Sequence, residues 1–526
     1  MHTDARKLEN EALLEADICI VGAGAAGISI ALEFINRPVK VILLEGGGFE
    51  YEERIQELYN GKTTGQPYYP IKSSELHYFG GTTGHWGGYC SLFDPIAFTK
   101  RDWVDKSGWP ITQETLIPYY KRACPILDIG EFEFDVKYWQ EKDPTLVPIP
   151  FDEEVAWTKI WRFSTPTRFG TKYRDTIVNA ENIHLYTYAN VVDITTNEAI
   201  SDVKTVTFKN YEGKSGRVSA KYFILACAGI QNPRVLLAAN KQAVKGLGNE
   251  NDLVGRYFME HAEFKSAELW LNQKSELKLY MIVQPRVQGE IAITPKIQEN
   301  NEILNGIVSF IPLDYAKQMP SYIQLWNTPD PRINQQHARD AMDKTAGTRL
   351  HRIFEKFKPA QSRLMHQAFQ LSMRLEQAPN PLSRVTLSDE KDELGVPRAS
   401  LNWAFTSLEK KSVRKIYEII GQQAGASGIG RVRLMEELWD ENDDSLPATT
   451  SGGWHHMGTT RMSDDPKNGV VDANCKVHGI HNLFIAGASC FPTGAGVNPT
   501  FTIVALAIRL AGHIKDLMNS STSAPK

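Results

Sequence analysis

The sequence predicts a mixed α/β chain, α+β overall. One domain made of both chain ends is interrupted by a second domain built on an antiparallel sheet with helices. Three observations predict it. A β-branched strand runs into a glycine-rich turn and a small-residue helix between residues 17 and 45. Between roughly 262 and 400 the pattern changes to longer strands and amphipathic helices. Glycine-rich turns then return at 451–500, followed by one closing helix over 501–518. At 526 residues the chain exceeds the size at which a single core usually keeps growing. The expected division is 1–261, 262–450 and 451–526, with the first and last parts forming one domain.

The first element carries the sharpest signal. Ile18–Val21 leads into G-x-G-x-x-G at Gly22, Gly24 and Gly27, and a second apolar strand, "VKVILLE", ends at Glu45. Glycines are common in turns, so the motif alone is weak. Here a strand precedes it, a helix follows it, and an acidic residue stands about twenty positions on. Gly22 permits the tight turn, Gly24 lets the backbone approach a pyrophosphate, and Gly27 lets the helix pack on the sheet. The helix N-terminus faces the phosphates, and Glu45 is expected to hydrogen-bond a ribose. This is a Rossmann-like dinucleotide site.

Residues 73–110 are dense in glycine and aromatic rings, a composition that suits a backbone wrapped around a ligand rather than a core. "SGWPITQETLIPYYKRACPILDIG" predicts a turn and an amphipathic helix. "IHLYTYANVVDITTN" and "DVKTVTFKN" read as antiparallel strands, and "KYFILACAGIQNPRVLLAAN" as a buried strand, a turn and a helix. In the middle domain "AKQMPSYIQLWN" and "HRIFEKFKPAQSRLMHQAFQL" read as amphipathic helices. No internal repeat is evident.

Composition narrows the function classes. With 42% hydrophobic and 23% charged residues the chain is an ordinary globular one. A net charge of −4 argues against a nucleic-acid partner, which calls for a basic excess. The six cysteines lie far apart with no C-x-x-C pair, so they read as reduced core residues and no zinc site is expected. The N-terminus lacks the basic region and apolar run of a signal peptide, and no apolar stretch reaches the roughly 20 residues of a membrane span. A cytoplasmic location is the expectation.

A dinucleotide fingerprint does not by itself separate FAD from NAD. FAD is favoured by glycine-rich ligand loops that continue to the far end of a long chain. "HNLFIAGASCFPTGAGVNPTFTIVALAIRLAGHI" looks like a second cofactor-contacting strand, loop and helix, and no second G-x-G-x-x-G offers a nicotinamide site.

"VGAGAAG…LLEGG", "GGTTGHWGG" at 80–88, "LACAGIQNPRVLL", and the C-terminal H-x-x-G-T and N-P-T elements together resemble the glucose–methanol–choline (GMC) oxidoreductases. These are flavoenzymes that oxidise alcohols. "FGGTTGHWGG", "DWVDKSGWPIT…PYYKRA" and "NPTFTIVALAIRLA" are most similar to its sugar-oxidising branch, such as pyranose oxidase and bacterial sugar dehydrogenases. The resemblance implies that FAD lies against Gly22, Gly24, Ala25, Gly27, Glu45, Gly81, Thr82, His85, Trp86, Gly87, Val191, Ala228, Gly487, Ala488, Asn498, Pro499 and Thr500. In pyranose oxidase-like members a histidine in a similar T-H-W context is bonded to the flavin 8α-methyl. Here Gly84 precedes His85, so a non-covalent flavin with His85 stacked near it is expected, and covalent attachment through His85 is the alternative.

Oxidising an alcohol requires removal of the hydroxyl proton and the carbon-bound hydride. FAD takes the hydride, and a neutral imidazole suits the proton. The chain offers two adjacent histidines in "SGGWHHMGTTRM". The family places the base in H-x-x-G-T, with a histidine or asparagine shortly before the last helix. His455 fits the first position and Asn498 the second, whereas His456 fits neither. In an extended segment neighbouring side chains point to opposite faces, so one ring alone would face the flavin. A two-histidine metal site is not expected, because adjacent residues rarely chelate one ion and no acidic ligand cluster accompanies them. His261 is expected to pack between domains. Glu376 and Arg384 are candidates for gripping substrate hydroxyls, although a surface ion pair explains them equally.

The expected activity is therefore oxidation of a secondary hydroxyl of a sugar or glycoside to a keto sugar. A non-sugar alcohol (sterol, aryl or amino alcohol) is the alternative, and a non-redox lyase on the same flavin scaffold a further one. The acceptor is oxygen, a quinone or a dye-like carrier, and the resemblance to bacterial sugar dehydrogenases implies a small partner subunit.

Overall fold

The computed structural model describes residues 1–283, 286–313, 365–440, 445–447 and 450–523. Two large sheets dominate. The first runs in the order His2–Asp4, Ile183–Thr187, Val41–Leu44, Ala12–Val21, Ser215–Leu225, Val203–Lys209, Asn190–Thr196, and Leu483–Ile485 joins the end of Ser215–Leu225. Ile18–Val21 lies between two parallel neighbours, paired with Val41–Leu44 on one side and Tyr222–Leu225 on the other. Covered on both faces, it carries a continuous apolar run instead of an alternating one, and Ile18, Cys19 and Ile20 are completely buried. The helix Ala25–Phe34 packs beside the closing helix Thr500–Ser523, which also lies against Gln113–Leu127.

The predicted α/β class is the one observed, with local differences. The segment 183–197 reads as one strand antiparallel to 202–210, but Ile183–Thr187 is a separate strand that pairs in parallel with Val41–Leu44 and His2–Asp4. Asn190–Thr196 does pair antiparallel with Val203–Lys209, which is in turn antiparallel to Ser215–Ser219. Residues 73–110 do contribute to the core: Phe79, Phe93, Phe98 and Trp109 are buried in the same cluster as the first sheet.

The second sheet is antiparallel throughout, in the order Gly430–Leu434, Ala262–Ser275, His366–Leu375, Gly306–Pro312, Val287–Ile293, Ala156–Phe163, Tyr89–Cys90. Two of its strands thus come from the first 261 residues. The helix Ser407–Ala426, opened by a capping box between Thr406 and Glu409, supplies Val413, Ile416 and Ile420 to the core beneath it. The helix expected over 316–327 lies outside the described residues, as does 351–364 of the second. The end of that second segment is a strand, His366–Leu375. There Phe369, Leu371, Met373 and Leu375 are buried at every second position, the period of a strand rather than a helix.

A backbone pairing joins the two sheets. Residues 451–457 run antiparallel to 259–263: Ser451 and Gly452 pair with Glu263 and Ala262, and Met259 and Met457 exchange both backbone hydrogen bonds at 2.9 Å. The histidine doublet therefore rides on the edge of the second sheet while the chain around it continues into the first.

Candidate active site

A cavity of about 1530 Å³ opens at the carboxyl ends of the parallel strands and continues over the face of the second sheet. Pockets for a single small ligand typically span roughly 300–1,000 Å³, so this space suits a dinucleotide together with a small substrate. Its floor is the glycine-rich turn. Gly22 has φ +98°, and a Cβ there would stand 2.7 Å from the Ala226 carbonyl oxygen. A Cβ on Gly27 would come within 1.9 Å of the Gly22 carbonyl oxygen, which is why the helix can sit so close to the strand. Gly24 and Gly487 instead face open space.

Of the residues expected at the cofactor, Gly22, Gly24, Ala25, Glu45, Gly81, Thr82, His85, Trp86, Gly87, Ala228, Gly487, Ala488, Asn498, Pro499 and Thr500 line this cavity. Val191 lines a smaller space of about 70 Å³ that shares Gly22 and Glu45 with it, and Gly27 lies behind the turn. The Glu45 carboxylate accepts the backbone N–H groups of Ala23 (3.0 Å) and Gly47 (2.9 Å). Burial pushes its carboxyl up to about 7. It holds the glycine turn in shape besides facing the cavity. His85 lies against the Trp454 ring, centroids 5.3 Å apart and planes 22° apart. The closing helix presents its N-terminus, Asn498 to Thr500, to the cavity, where a helix favours negative charge.

The two histidines diverge. The His455 Nε2 atom lies 3.0 Å from Asn498 Nδ2, an amide nitrogen that can only donate, so Nε2 accepts. Its Nδ1 lies 2.8 Å from Nδ1 of His261. Burial, then the neighbouring His261, Arg374 and His456, hold the His455 pKa well below 6.5, so the ring is neutral. His456 points the other way, into a carboxylate network. Its Nδ1 is 2.9 Å from Glu75 Oε1 and its Nε2 2.7 Å from the Tyr68 hydroxyl, which donates to Glu260 Oε2 at 2.6 Å. With the tyrosine proton directed to Glu260, both His456 nitrogens are placed to donate, as in the imidazolium. Burial works against that charge, but Glu75 and Glu260 outweigh it and raise the pKa. The G-T that follows has a packing role. A Cβ on Gly458 would lie 2.2 Å from the Tyr257 carbonyl oxygen, and Thr459 Oγ1 donates to the Gly229 carbonyl at 2.6 Å.

Glu376 and Arg384 do not reach the cavity. Glu376 is fully buried in a two-pronged pair with Arg101, 2.7 Å on each side, and Arg384 pairs with Asp252 at 3.1 Å. The polar wall opposite the cofactor end is made instead by Glu263, Gln288, Glu290, Ser309, Ser372 and Arg374. Glu290 and Arg374 are paired at 2.9 Å, whereas burial raises the Glu263 carboxyl despite the nearby Arg374. Period-2 polar positions inside otherwise apolar strands, as in "VQGEI" and "LSMRL", are the sequence signal for this wall.

The residues fit a bound dinucleotide and substrate. Glu75 Oε2, Trp454 Nε1 and Asn498 Oδ1 are buried atoms of cavity-lining residues with no hydrogen-bond partner among the described residues. Such atoms normally find one. Among the described residues no cluster of His, Cys, Asp and Glu could hold a metal, and no helix is long and apolar enough to cross a membrane.

Residues 379–507 match the family model of the GMC oxidoreductases. The 2-methyl-1,2-propanediol dehydrogenase of Mycolicibacterium austroafricanum is 24% identical over 95% of both chains. The fructose dehydrogenase large subunit of Gluconobacter japonicus is also 24% identical, over 96% of this chain and 99% of its own. The chain is thus similar to the GMC oxidoreductases over 379–507, and to these two dehydrogenases along nearly its whole length. Its fold is shared with the solved pyridoxine 4-oxidase from Mesorbium loti, at a TM-score of 0.56 and 16% identity over 95% of this chain and 99% of that one. In this chain the H-x-x-G-T and N-P-T elements meet in one hydrogen bond between His455 and Asn498.

Proposed function

We propose that this chain is a GMC oxidoreductase that binds FAD non-covalently along the large cavity and oxidises a secondary hydroxyl of a sugar or glycoside to a keto sugar. In this reading residues 1–261 and 451–526 hold the cofactor, and 262–450 supplies most of the substrate wall. The observation that carries it is the neutral His455 ring, its Nε2 turned toward Asn498 at the edge of the cavity. FAD, when bound, supplies a hydride acceptor. The chain's own residues do the rest. His455 Nε2 takes the hydroxyl proton, and the Asn498 amide holds the substrate oxygen beside it. Glu263, Gln288, Ser309 and Arg374 offer donors and acceptors enough for several ring hydroxyls.

The relative named fructose dehydrogenase large subunit supports a sugar substrate and an accompanying small subunit. Dehydrogenase activity, with a quinone or dye-like acceptor rather than oxygen, is the form preferred here. A cytoplasmic setting agrees with the six unpaired cysteines. One specific observation favours a second reading, a small non-sugar alcohol: the relative named for 2-methyl-1,2-propanediol.

Anaerobic mixing with a panel of pyranosides and simple diols tests both. Bleaching of the flavin by at least one pyranoside, with a keto sugar in the product, is expected. Bleaching by diols alone transfers the assignment to the second reading, and product formed with the flavin still oxidised establishes a lyase. Acid precipitation should release the yellow colour. Colour retained in the pellet means a covalent bond, with His85 the first residue to substitute.

A further inference from the structure

We propose that His261 is a positioning residue for the reaction: through its Nδ1 atom it fixes His455 in the tautomer whose Nε2 is free to take a proton. The inference rests on the reading of His455 as the base.

The argument is one of donors and acceptors. His261 Nε2 lies 2.7 Å from the Ala495 carbonyl oxygen and 3.2 Å from that of Gly494. Carbonyl oxygens only accept, so His261 Nε2 carries its proton. Burial, then the nearby Arg374, hold the His261 pKa down at about 3, so the ring is neutral and its Nδ1 is an acceptor. The partner 2.8 Å away, His455 Nδ1, must therefore donate, and a neutral imidazole that carries its proton on Nδ1 has none on Nε2. The Asn498 amide nitrogen agrees, since it donates to that same Nε2.

The alternative is that His261 only packs. Its completely buried ring would fill space in either case, but packing does not require its two nitrogens to face an imidazole and two carbonyls. The backbones are held as well. Glu260 Oε1 accepts the N–H of His261 at 2.8 Å and of His455 at 2.6 Å, so one carboxylate holds both ring-bearing residues. The charged groups around the ring pair are Arg374 from the strand His366–Leu375, Glu260 and Glu263 from the strand edge, and His456 from the adjoining position.

An orienting group of this kind differs from a carboxylate in one respect. It fixes the tautomer without adding negative charge, so it does not hold the base in its protonated form. When His455 takes the substrate proton, its Nδ1–H continues to donate to His261, and the proton stays on His455.

Three variants separate the roles. His261→Leu removes the acceptor, His261→Asn keeps an oxygen near the Nδ1 position, and His261→Asp places a carboxylate there. With FAD bound, the Leu variant should lose roughly 10²-fold in anaerobic flavin reduction, and the Asn variant should recover most of that loss. The Asp variant should move the acid limb of the rate to higher pH. In ¹⁵N-histidine spectra, assigned with His455→Gln, Nε2 of His455 should be unprotonated in the wild type and protonated in a substantial fraction of the Leu variant. Equal losses in Leu and Asn with an unmoved acid limb in Asp overturn the inference, as does a Leu variant with the wild-type rate. Should the Leu variant fail to fold, the Asp acid limb and the wild-type spectrum decide alone. A His455→Ala enzyme that still reduces its flavin at the normal rate overturns the base reading itself, a separate outcome.

Discussion

His455 and His456 are joined by one peptide bond, yet they occupy opposite electrostatic settings. His455 faces a neutral imidazole, an amide and the cavity. His456 faces Glu75 and, through Tyr68, Glu260. The two rings turn to opposite sides of an irregular segment that follows the strand Ser451–Gly452, and the groups awaiting each ring decide its charge. The comparison teaches that a titratable side chain acquires its role from partners far away in sequence: 75, 260, 261 and 498 matter more to this doublet than 454 or 457. The neighbouring imidazolium also acts on the base, since its charge is one of the influences that keep His455 neutral.

The largest break in that symmetry should appear in rates. His455→Gln is expected to slow anaerobic flavin reduction by about 10³-fold, within the range of general-base contributions, with FAD still bound. His456→Gln should lose no more than about 10-fold. Comparable losses would erase the distinction. Next comes stability. Glu75→Gln removes the nearer of the two carboxylates that face the buried imidazolium, leaving Glu260 behind Tyr68, and should cost about 3 kcal/mol, measured by urea unfolding of the holoenzyme. His456 has a raised folded-state pKa, so the stability it contributes is fully present below pH 6.5 and is lost as pH rises through that higher value. The Glu75→Gln penalty should accordingly be larger at pH 6 than at pH 9, and a penalty that grows with pH contradicts the charged assignment. The smallest effect is a position on the pH axis. Because the His455 pKa is depressed, the flavin-reduction rate should fall only as pH drops below 6.5, and an acid limb above that value would mean the base is a charged ring.

Much of this was legible in the sequence. The strand, glycine turn and helix at 17–34 announced themselves because each residue there answers to local rules: β-branching, positive φ, a close backbone approach. The pairing of His455 with Asn498 could be anticipated from the resemblance to the GMC oxidoreductases, whose two motif positions these residues fit. The substrate wall could not. Glu376 and Arg384 stand in polar-looking sequence, but the first meets Arg101, 275 positions away, and the second Asp252. Nothing local distinguishes a carboxylate that finds a buried guanidinium from one that faces a cavity. The strand His366–Leu375 was hidden for a related reason, since its leading residues continue an amphipathic run. From sequence alone His261 looks like a packing residue, because the carbonyls that define its proton come from residues 494 and 495, more than 230 positions along.

The wall built on the second sheet has a consequence for how such an enzyme can change its appetite. On the strand Val287–Ile293, Gln288 and Glu290 turn inward while Val287, Gly289 and Ile291 belong to the opposite face. Recognition and scaffold thus interleave residue by residue along one ribbon. An inward side chain can be exchanged without removing an apolar group from the core, and without touching the glycine turn or the ring that takes the proton. Selectivity can drift on this face while the chemistry stays where it is.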